Sequence, residues 1–231
     1  MTEFVGDTQT IDFADPKTKI LADIFCKEQD SIPKRLLVVG CGRGVEAAVL
    51  AQHLGAKVTG IDIIANFDSR AVCIADLRQG DATKMEFSDE SFDFVYSFHA
   101  LEHIPDYRAA LAEIHRVLCP GGRWMIGTPN RKRMIGYLGS KDASIADKLH
   151  WNYIDWKAKF QGRFRNELGA HAGYTQEELS SELAKVFSKV TDITFDYYRS
   201  LYSKKLHLIN ATINLGAASW MFPCIYFMGR R

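Results

Sequence analysis

A chain of 231 residues, 47% of them apolar, with a net charge of +1, has the makeup of an ordinary globular protein. Its near-neutral balance excludes a general electrostatic pull towards nucleic acid, so any basic contact surface must be local. Five cysteines at 26, 41, 73, 119 and 224 form no C-x-x-C pair, which argues against a disulfide framework or a zinc site. The N-terminus, Met1 to Asp7, lacks the basic start and apolar core of a signal peptide, and the expectation is a cytoplasmic protein.

In chain order, residues 17–30 read as a helix, broken by Pro33 before a first strand at 36–39. Leu36-Leu-Val-Val39 is the apolar run of a buried parallel strand, and it ends in Gly40-x-Gly42-x-Gly44. A helix follows to Leu54 and stops at Gly55. Lys57–Ile63 reads as the second strand, Leu77–Gly80 as a weak third and Phe92–Ser97 as the fourth. A helix over 107–118, halted by Pro120-Gly-Gly122, leads to a fifth strand at 124–127. Strands alternating with helices predict a doubly wound α/β fold with a mostly parallel sheet. After Pro129 the rhythm breaks: residues 130–173 carry nine Lys/Arg against four Asp/Glu, with Trp151, Tyr153, Trp156, Phe160 and Phe164. The expectation is a partly helical insertion lying over the site. Thr175 and Glu178 form a capping-box pattern for the next helix, and a strand is expected at 190–198. From Leu206 to Met228 there is no Lys, Arg, Asp or Glu. Polar residues and Pro223 interrupt the run, which reads as an amphipathic helix over 206–222 and a strand at 224–228 rather than a membrane span. The whole is expected as one domain: lead-in 1–33, cofactor half 34–130, lid 131–173 and the rest of the sheet over 174–231.

Glycines after a buried strand let the backbone approach a ligand, and the free N–H groups of the following helix face the same crevice. Asp62, about twenty residues on at the end of strand two, is placed to reach ribose hydroxyls. The dinucleotide pattern G-x-G-x-x-G would need a third glycine where Val45 stands, and there is no phosphate loop. A cofactor with adenosine and no pyrophosphate fits.

These features resemble the class I S-adenosylmethionine-dependent methyltransferases, in particular the group with an L-E-H motif after strand four. The blocks that carry the likeness are Val38–Gly44, Gly60-Ile-Asp62, Gly80-Asp-Ala82, Ser91–Val95, Ala100-Leu-Glu-His-Ile104 and Glu113–Gly122, in order over residues 34–130. The resemblance implies a Rossmann-like methyltransferase fold with a seven-stranded sheet and S-adenosylmethionine as methyl donor. It implies that Gly40 and Gly42 border the methionine part and that Cys41 and Gly44 of the same turn also meet the cofactor. Asp62, with Ile63 beside it, would hold the ribose; Asp81 and Ala82 would meet the adenine; Ser97 and Phe98 would face the reacting methyl. Asp76 rivals Asp81, because only eighteen residues separate Asp62 from Asp81.

Methyl transfer needs alignment, and a base only where the acceptor is a hydroxyl or protonated amine. His99, Glu102 and His103 would share one helical face, which fits packing or capping, a base or substrate contact by His99 or His103, or a metal set; no metal is expected. In the insertion, Arg131, His150, Trp151 and His171 are expected to meet the substrate. Its basic charge, with Lys132, Arg133, Arg163 and Arg165, suits an anionic acceptor or a solvated face. The reaction expected is methyl transfer to an O or N atom of a small molecule, a glycan or a lipid-linked metabolite, with contact at a membrane surface open. RNA methylation and a non-catalytic cofactor-binding scaffold are the alternatives.

Overall fold

The computed structural model describes residue 13 and residues 15–27, 32–137 and 143–231. Seven strands form one sheet: β1 (Arg35–Val39), β2 (Lys57–Asp62), β3 (Asp76–Gln79), β4 (Phe92–Phe98), β5 (Leu118–Pro129), β6 (Lys189–Asp192) and β7 (Cys224–Arg230). Their order is β3-β2-β1-β4-β5-β7-β6, with β7 antiparallel to both neighbours and the other pairings parallel. The described helices are α1 (Pro16–Lys27), α2 (Val45–Leu54), α3 (Tyr107–Val117), α4 (Ile145–Phe160), α5 (Gln176–Ala184), α6 (Thr194–Leu201), α7 (Leu206–Asn214) and α8 (Ala218–Met221).

The sheet is covered on both faces, which is why β1 carries apolar residues at successive positions: Leu36 to Val39 are all fully buried. Leu36 and Val38 join Leu21 and Phe25 of α1, Leu50 of α2 and Tyr197 of α6 in one core layer. Leu37 and Val39 join Leu111 and Ile114 of α3 and Leu179 and Leu183 of α5 in the other. The chain leaves β1 towards β2 and β3, then returns to lay β4 on the other side of β1. Beyond the C-terminal ends of β1 and β4 lies the crevice where such sheets bind ligands.

Local signals set the helix ends. The Asp106 carboxylate accepts from the Ala109 N–H at the start of α3. Thr175 and Glu178 make the expected capping box on α5, and Ser144 with Asp147 makes another on α4.

Several boundaries differ from expectation. The first helix spans 16–27, and the expected residues 28–30 lie outside those described. The strand expected at 190–198 stops at Asp192, and Thr194–Leu201 is helical. Thr194, Tyr197 and Tyr198 bury one helical face there, so the aromatic run that read as strand has the 3.6-residue period. The helix expected over 206–222 is two pieces, with Gly216 in the left-handed region between them at φ 68°. The helix expected to 118 ends at Val117; β5 begins at Leu118, and its pairing with β4 jumps from Phe92↔Leu118 to Phe94↔Arg123 across Pro120-Gly-Gly122. The insertion between β5 and α5 is partly helical, holding α4 and a short 3₁₀ turn at Asn166–Leu168. None of the described helices is long and apolar enough to cross a membrane.

Candidate active site

The turn after β1 is drawn tight. The N–H groups of Gly40 and Cys41 both donate to the Ile61 carbonyl, at 2.9 Å each. Gly40 has φ 71°, and a Cβ there would stand 2.3 Å from that of Ala100, so this strand end approaches the loop after β4 as only glycine permits. The Asp62 carboxylate ties the turn to β2, accepting from the Gly42 N–H at 2.8 Å and the Ile64 N–H at 3.0 Å. Asp81 lies just past β3, where it accepts from the N–H and hydroxyl of Thr83, both at 2.8 Å; these bonds lower its pKa. Asp76 pairs in register with Thr59, whereas Gln79 at the other end of β3 pairs with Asp62. Asp76 therefore sits at the wrong end of its strand to rival Asp81.

Gly40, Asp62, Ile63, Asp81, Ala82 and His103 are among the residues around a cavity of about 660 Å³. Ile63 and Ile64 present exposed aliphatic side chains at it, an unusual placement that suits one face of a flat ring. Cys41, Gly42 and Gly44 are not among the residues around this cavity; Gly42 is exposed beside it, its N–H on Asp62. The Cys41 thiol is buried, and burial followed by the Asp62 charge pushes its pKa up to about 12, so it is inert. Gly44, at φ 85°, faces Leu77.

A second cavity, of about 430 Å³, lies towards α6 and β7. Phe98, Tyr197, Tyr198, Tyr202 and Tyr226 give it aromatic walls, and the insertion supplies Arg133, Tyr137 and His171. Phe98 and Tyr226 stack with their rings 5.5 Å apart. Burial raises the pKa of Tyr197, Tyr198 and Tyr226, so these phenols remain protonated near neutral pH. Ser97 faces neither cavity; it is buried, and its hydroxyl has no partner among the described residues.

His99 and His103 border both cavities. His99 has φ 53°, a left-handed conformation held by its N–H donating to the Gly127 carbonyl at 2.9 Å. Its Nδ1 lies 3.2 Å from Glu102 Oε1, and its Nε2 lies 3.5 Å from Cys224 Sγ. Burial opposes charge on this ring, but Cys224 and the Glu102 carboxylate outweigh it, and the pKa lies above the ordinary histidine value. Glu102 is buried in the short 3₁₀ turn Leu101–His103, and its Oε2 has no hydrogen-bond partner among the described residues. The His103 and His171 rings meet edge to face at 4.7 Å, and burial, then His103, lowers the pKa of His171. Among the described residues no group of three or more His, Cys, Asp or Glu is arranged to hold a metal ion.

The structure brings His171 to the second cavity but not the other three substrate candidates. Arg131 donates to the Gly173 carbonyl and pairs with Glu178 at 2.9 Å. His150 is exposed on α4, and Trp151 packs edge-on against Tyr137 at 5.2 Å. Lys132 pairs with Glu177, and Arg133 with Asp155, so much of the insertion's positive charge is spent within the fold. The sequence reading missed Cys224 and the tyrosines of α6. The signal for them in the sequence is the Tyr197-Tyr198 pair, whose composition reads as strand although it lies on α6.

Residues 37–126 match a family model described as a methyltransferase domain. A sterol 24-C-methyltransferase of Gibberella zeae is 40% identical over 97 residues, which cover 38% of this chain and 26% of that protein. A ubiquinone biosynthesis O-methyltransferase of Pseudomonas aeruginosa is 37% identical over 106 residues, covering 42% of this chain and 45% of that one. The chain thus spans less than half the length of these curated relatives. Among solved structures, a Haemonchus contortus phosphoethanolamine N-methyltransferase 2 in complex with phosphomonomethylethanolamine and S-adenosylhomocysteine shares the fold. It aligns with a TM-score of 0.55 at 18% identity over 91% of this chain and 51% of that one.

Proposed function

We propose that this chain is a methyltransferase that binds S-adenosylmethionine in the larger cavity. There it would transfer the methyl group to an O or N atom of a small molecule held in the aromatic cavity. The observation that carries the reading is the junction of the two cavities at His99 and His103, beyond the C-terminal ends of β1 and β4. The similarity of residues 37–126 to methyltransferase domains supports it.

The residues fit this cofactor. Asp62 would bond the ribose hydroxyls, Asp81 the adenine amino group, and Ile63 and Ile64 would cover the ring. Gly40, on the cavity wall, would border the methionine end. When bound, the cofactor supplies an electrophilic methyl on a sulfonium. The chain's own part is to align the acceptor and shed water from it. Phe98, Tyr197 and Tyr226 would flank the acceptor, with His171 and Arg133 at its outer side. The 34–130 half, the 131–173 insertion and the 174–231 segment work as one domain on this reading, since each contributes to a cavity wall. Its five free cysteines support a reducing compartment.

The test is calorimetric titration with S-adenosylhomocysteine. Wild-type protein should bind, and Asp62→Ala should weaken binding about 100-fold or more, since two charge-assisted bonds are worth roughly 1.5–3 kcal/mol each. Equal affinity in the two proteins would remove the cofactor site from this crevice.

A further inference from the structure

The helix α4 runs for 16 residues and buries one side chain, Asn152, whose Oδ1 accepts from the Gly136 N–H at 2.7 Å. Ile145, Leu149, Tyr153, Trp156 and Phe160 recur along it at steps of four or three. At 3.6 residues per turn they fall in one stripe about 80° wide. All five are exposed, from 45% at Trp156 to 97% at Phe160. The stripe continues past the helix. The Trp156 Nε1–H donates to the Met134 carbonyl at 2.6 Å, and the Met134 N–H donates to the Trp220 carbonyl of α8 at 2.7 Å. Met134, Trp220 and Met221 are about half exposed as well. A joined apolar surface of this extent marks a place where a partner lies.

The charges around the face say which partner. On the α4 wheel Lys157 stands to one side of the stripe and Lys148 to the other, and Arg163 and Arg165 follow the helix. None of these four forms an ion pair among the described residues. The two carboxylates of α4 are engaged elsewhere: Asp147 closes the capping box with Ser144, and Asp155 holds Arg133. From Arg199 to the end of the chain there is no acidic residue, so α8 brings none. Aromatic side chains set between unpaired cations match the boundary of a lipid bilayer. Rings rest there at headgroup depth, and long basic side chains reach the phosphates. A second copy of the chain fits less well. A two-fold contact would set the same patch against itself and gather both copies' lysines where no free carboxylate meets them.

We propose that this face, formed by α4, Met134 and α8, docks on the surface of an anionic lipid membrane, with α4 lying in the plane of the headgroups. Ile145, Leu149 and Phe160 enter the acyl boundary, Tyr153, Trp156 and Trp220 rest at headgroup depth, and Lys148, Lys157 and Arg163 meet lipid phosphates. The face borders the aromatic cavity, since Trp151 of α4 packs on Tyr137, one of that cavity's walls. Docking of this kind requires no methyl transfer and stands apart from the methyltransferase reading.

The experiment is co-sedimentation of the whole chain with two kinds of vesicle, phosphatidylcholine alone and an equimolar mixture of phosphatidylcholine and phosphatidylglycerol. The protein should pellet with the mixed vesicles and bind the neutral ones at least about 10-fold more weakly, and salt at about 1 M should remove that preference. Leu149→Ser combined with Phe160→Ser should lower partition about 10-fold or more. Both side chains are largely exposed, so the fold does not depend on them. Lys157→Gln and Arg163→Gln should each weaken binding to the mixed vesicles about 5-fold and leave the neutral ones unaffected. Brominated lipid should quench tryptophan emission in the wild-type protein and spare it in the Leu149→Ser, Phe160→Ser variant. Affinity for S-adenosylhomocysteine should be the same in all of these proteins, so failure here and failure of the cofactor site are read separately. No pelleting with the mixed vesicles, or pelleting that the Leu149→Ser, Phe160→Ser variant retains in full, would overturn the proposal. Sedimentation equilibrium showing a dimer that this variant dissociates would overturn it too, by giving the face to a second copy of the chain.

Discussion

Gly44 offers the sharpest test of how the turn after β1 is built. It precedes α2 at φ 85°, and a Cβ added to it would lie 2.1 Å from Leu77 Cδ1 and 3.2 Å from the next two atoms of that side chain. Gly44→Ala therefore adds two costs. An L-residue in the left-handed region loses about 1–2 kcal/mol. Pushing aside a half-buried leucine from β3 costs about 1–3 kcal/mol more. The alanine returns about 0.4–1 kcal/mol by stiffening the unfolded chain. The net is a destabilisation of about 1–5 kcal/mol, or roughly 2–20 °C in Tm at 2–4 °C per kcal/mol for a chain of this size. Leu77→Ala alone should cost about 1–3 kcal/mol, somewhat less than a fully buried leucine. In the double variant the clash is gone, so the two losses should fall short of additive by about 1–3 kcal/mol. Urea unfolding of the four proteins measures this coupling. Additivity within about 0.5 kcal/mol would refute the packing of β3 against the turn, and a Gly44→Ala protein as stable as wild type would refute the left-handed turn itself.

Three further outcomes follow from the site and its supports. Arg133, 5% exposed, pairs with Asp155 at 3.0 Å and donates to the Ala172 and His171 carbonyls, so Arg133→Met should cost about 3–5 kcal/mol and open residues 131–173 to trypsin; adding Asp155→Leu should recover most of the loss, and no recovery would show that the carbonyl contacts dominate. Arg108, then Lys185, holds the Glu182 carboxyl down to about pKa 2, so its stabilisation is present above the ordinary value near 4.3 and is lost as pH falls through about 2. Glu182→Gln should thus lower stability by about 0.2–1 kcal/mol at pH 7, and urea midpoints should show the difference shrinking from about pH 4 downwards. Asp81→Ala should weaken S-adenosylhomocysteine binding about 5–20-fold while Asp76→Ala changes it less than about twofold, and the reverse ranking would return the adenine role to Asp76.

The parts legible in the sequence were those written locally. The run Leu36–Val39 and its glycines, the Thr175–Glu178 capping box and Asp62 at the end of β2 each carry their signal within a few residues. Tyr197 and Tyr198 misled because adjacent aromatics have the composition of a strand. Only their burial together with Ile193 and Thr194 shows the helical face. The aromatic cavity was not legible for a different reason. Its walls come from α1, the end of β4, the insertion, α6 and β7, and no spacing in the sequence relates Cys224 to His99, 125 positions apart. The positive charge of 130–173 was legible as composition, yet its meaning was not, since Glu177 and Glu178 of α5 and Asp155 within the segment itself absorb part of it.

The position of His99 follows from the sheet itself. Alternation along β4 buries Ser97, and the next residue, Phe98, stacks on Tyr226 of β7. Gly127 makes this possible: a Cβ there would stand 2.6 Å from the Phe98 ring and 2.8 Å from that of Tyr226. The same Gly127 holds the His99 N–H through its carbonyl, so the sheet keeps its grip on the backbone for one residue beyond β4. The chain then turns abruptly through φ 53° into the Leu101–His103 turn, whose Glu102 reaches back to the ring it has just passed. A flexible loop would hold an imidazole here only in passing. The Gly127 carbonyl, the missing Cβ at the same Gly127 and the buried Glu102 carboxylate hold it in one orientation, bordering both cavities.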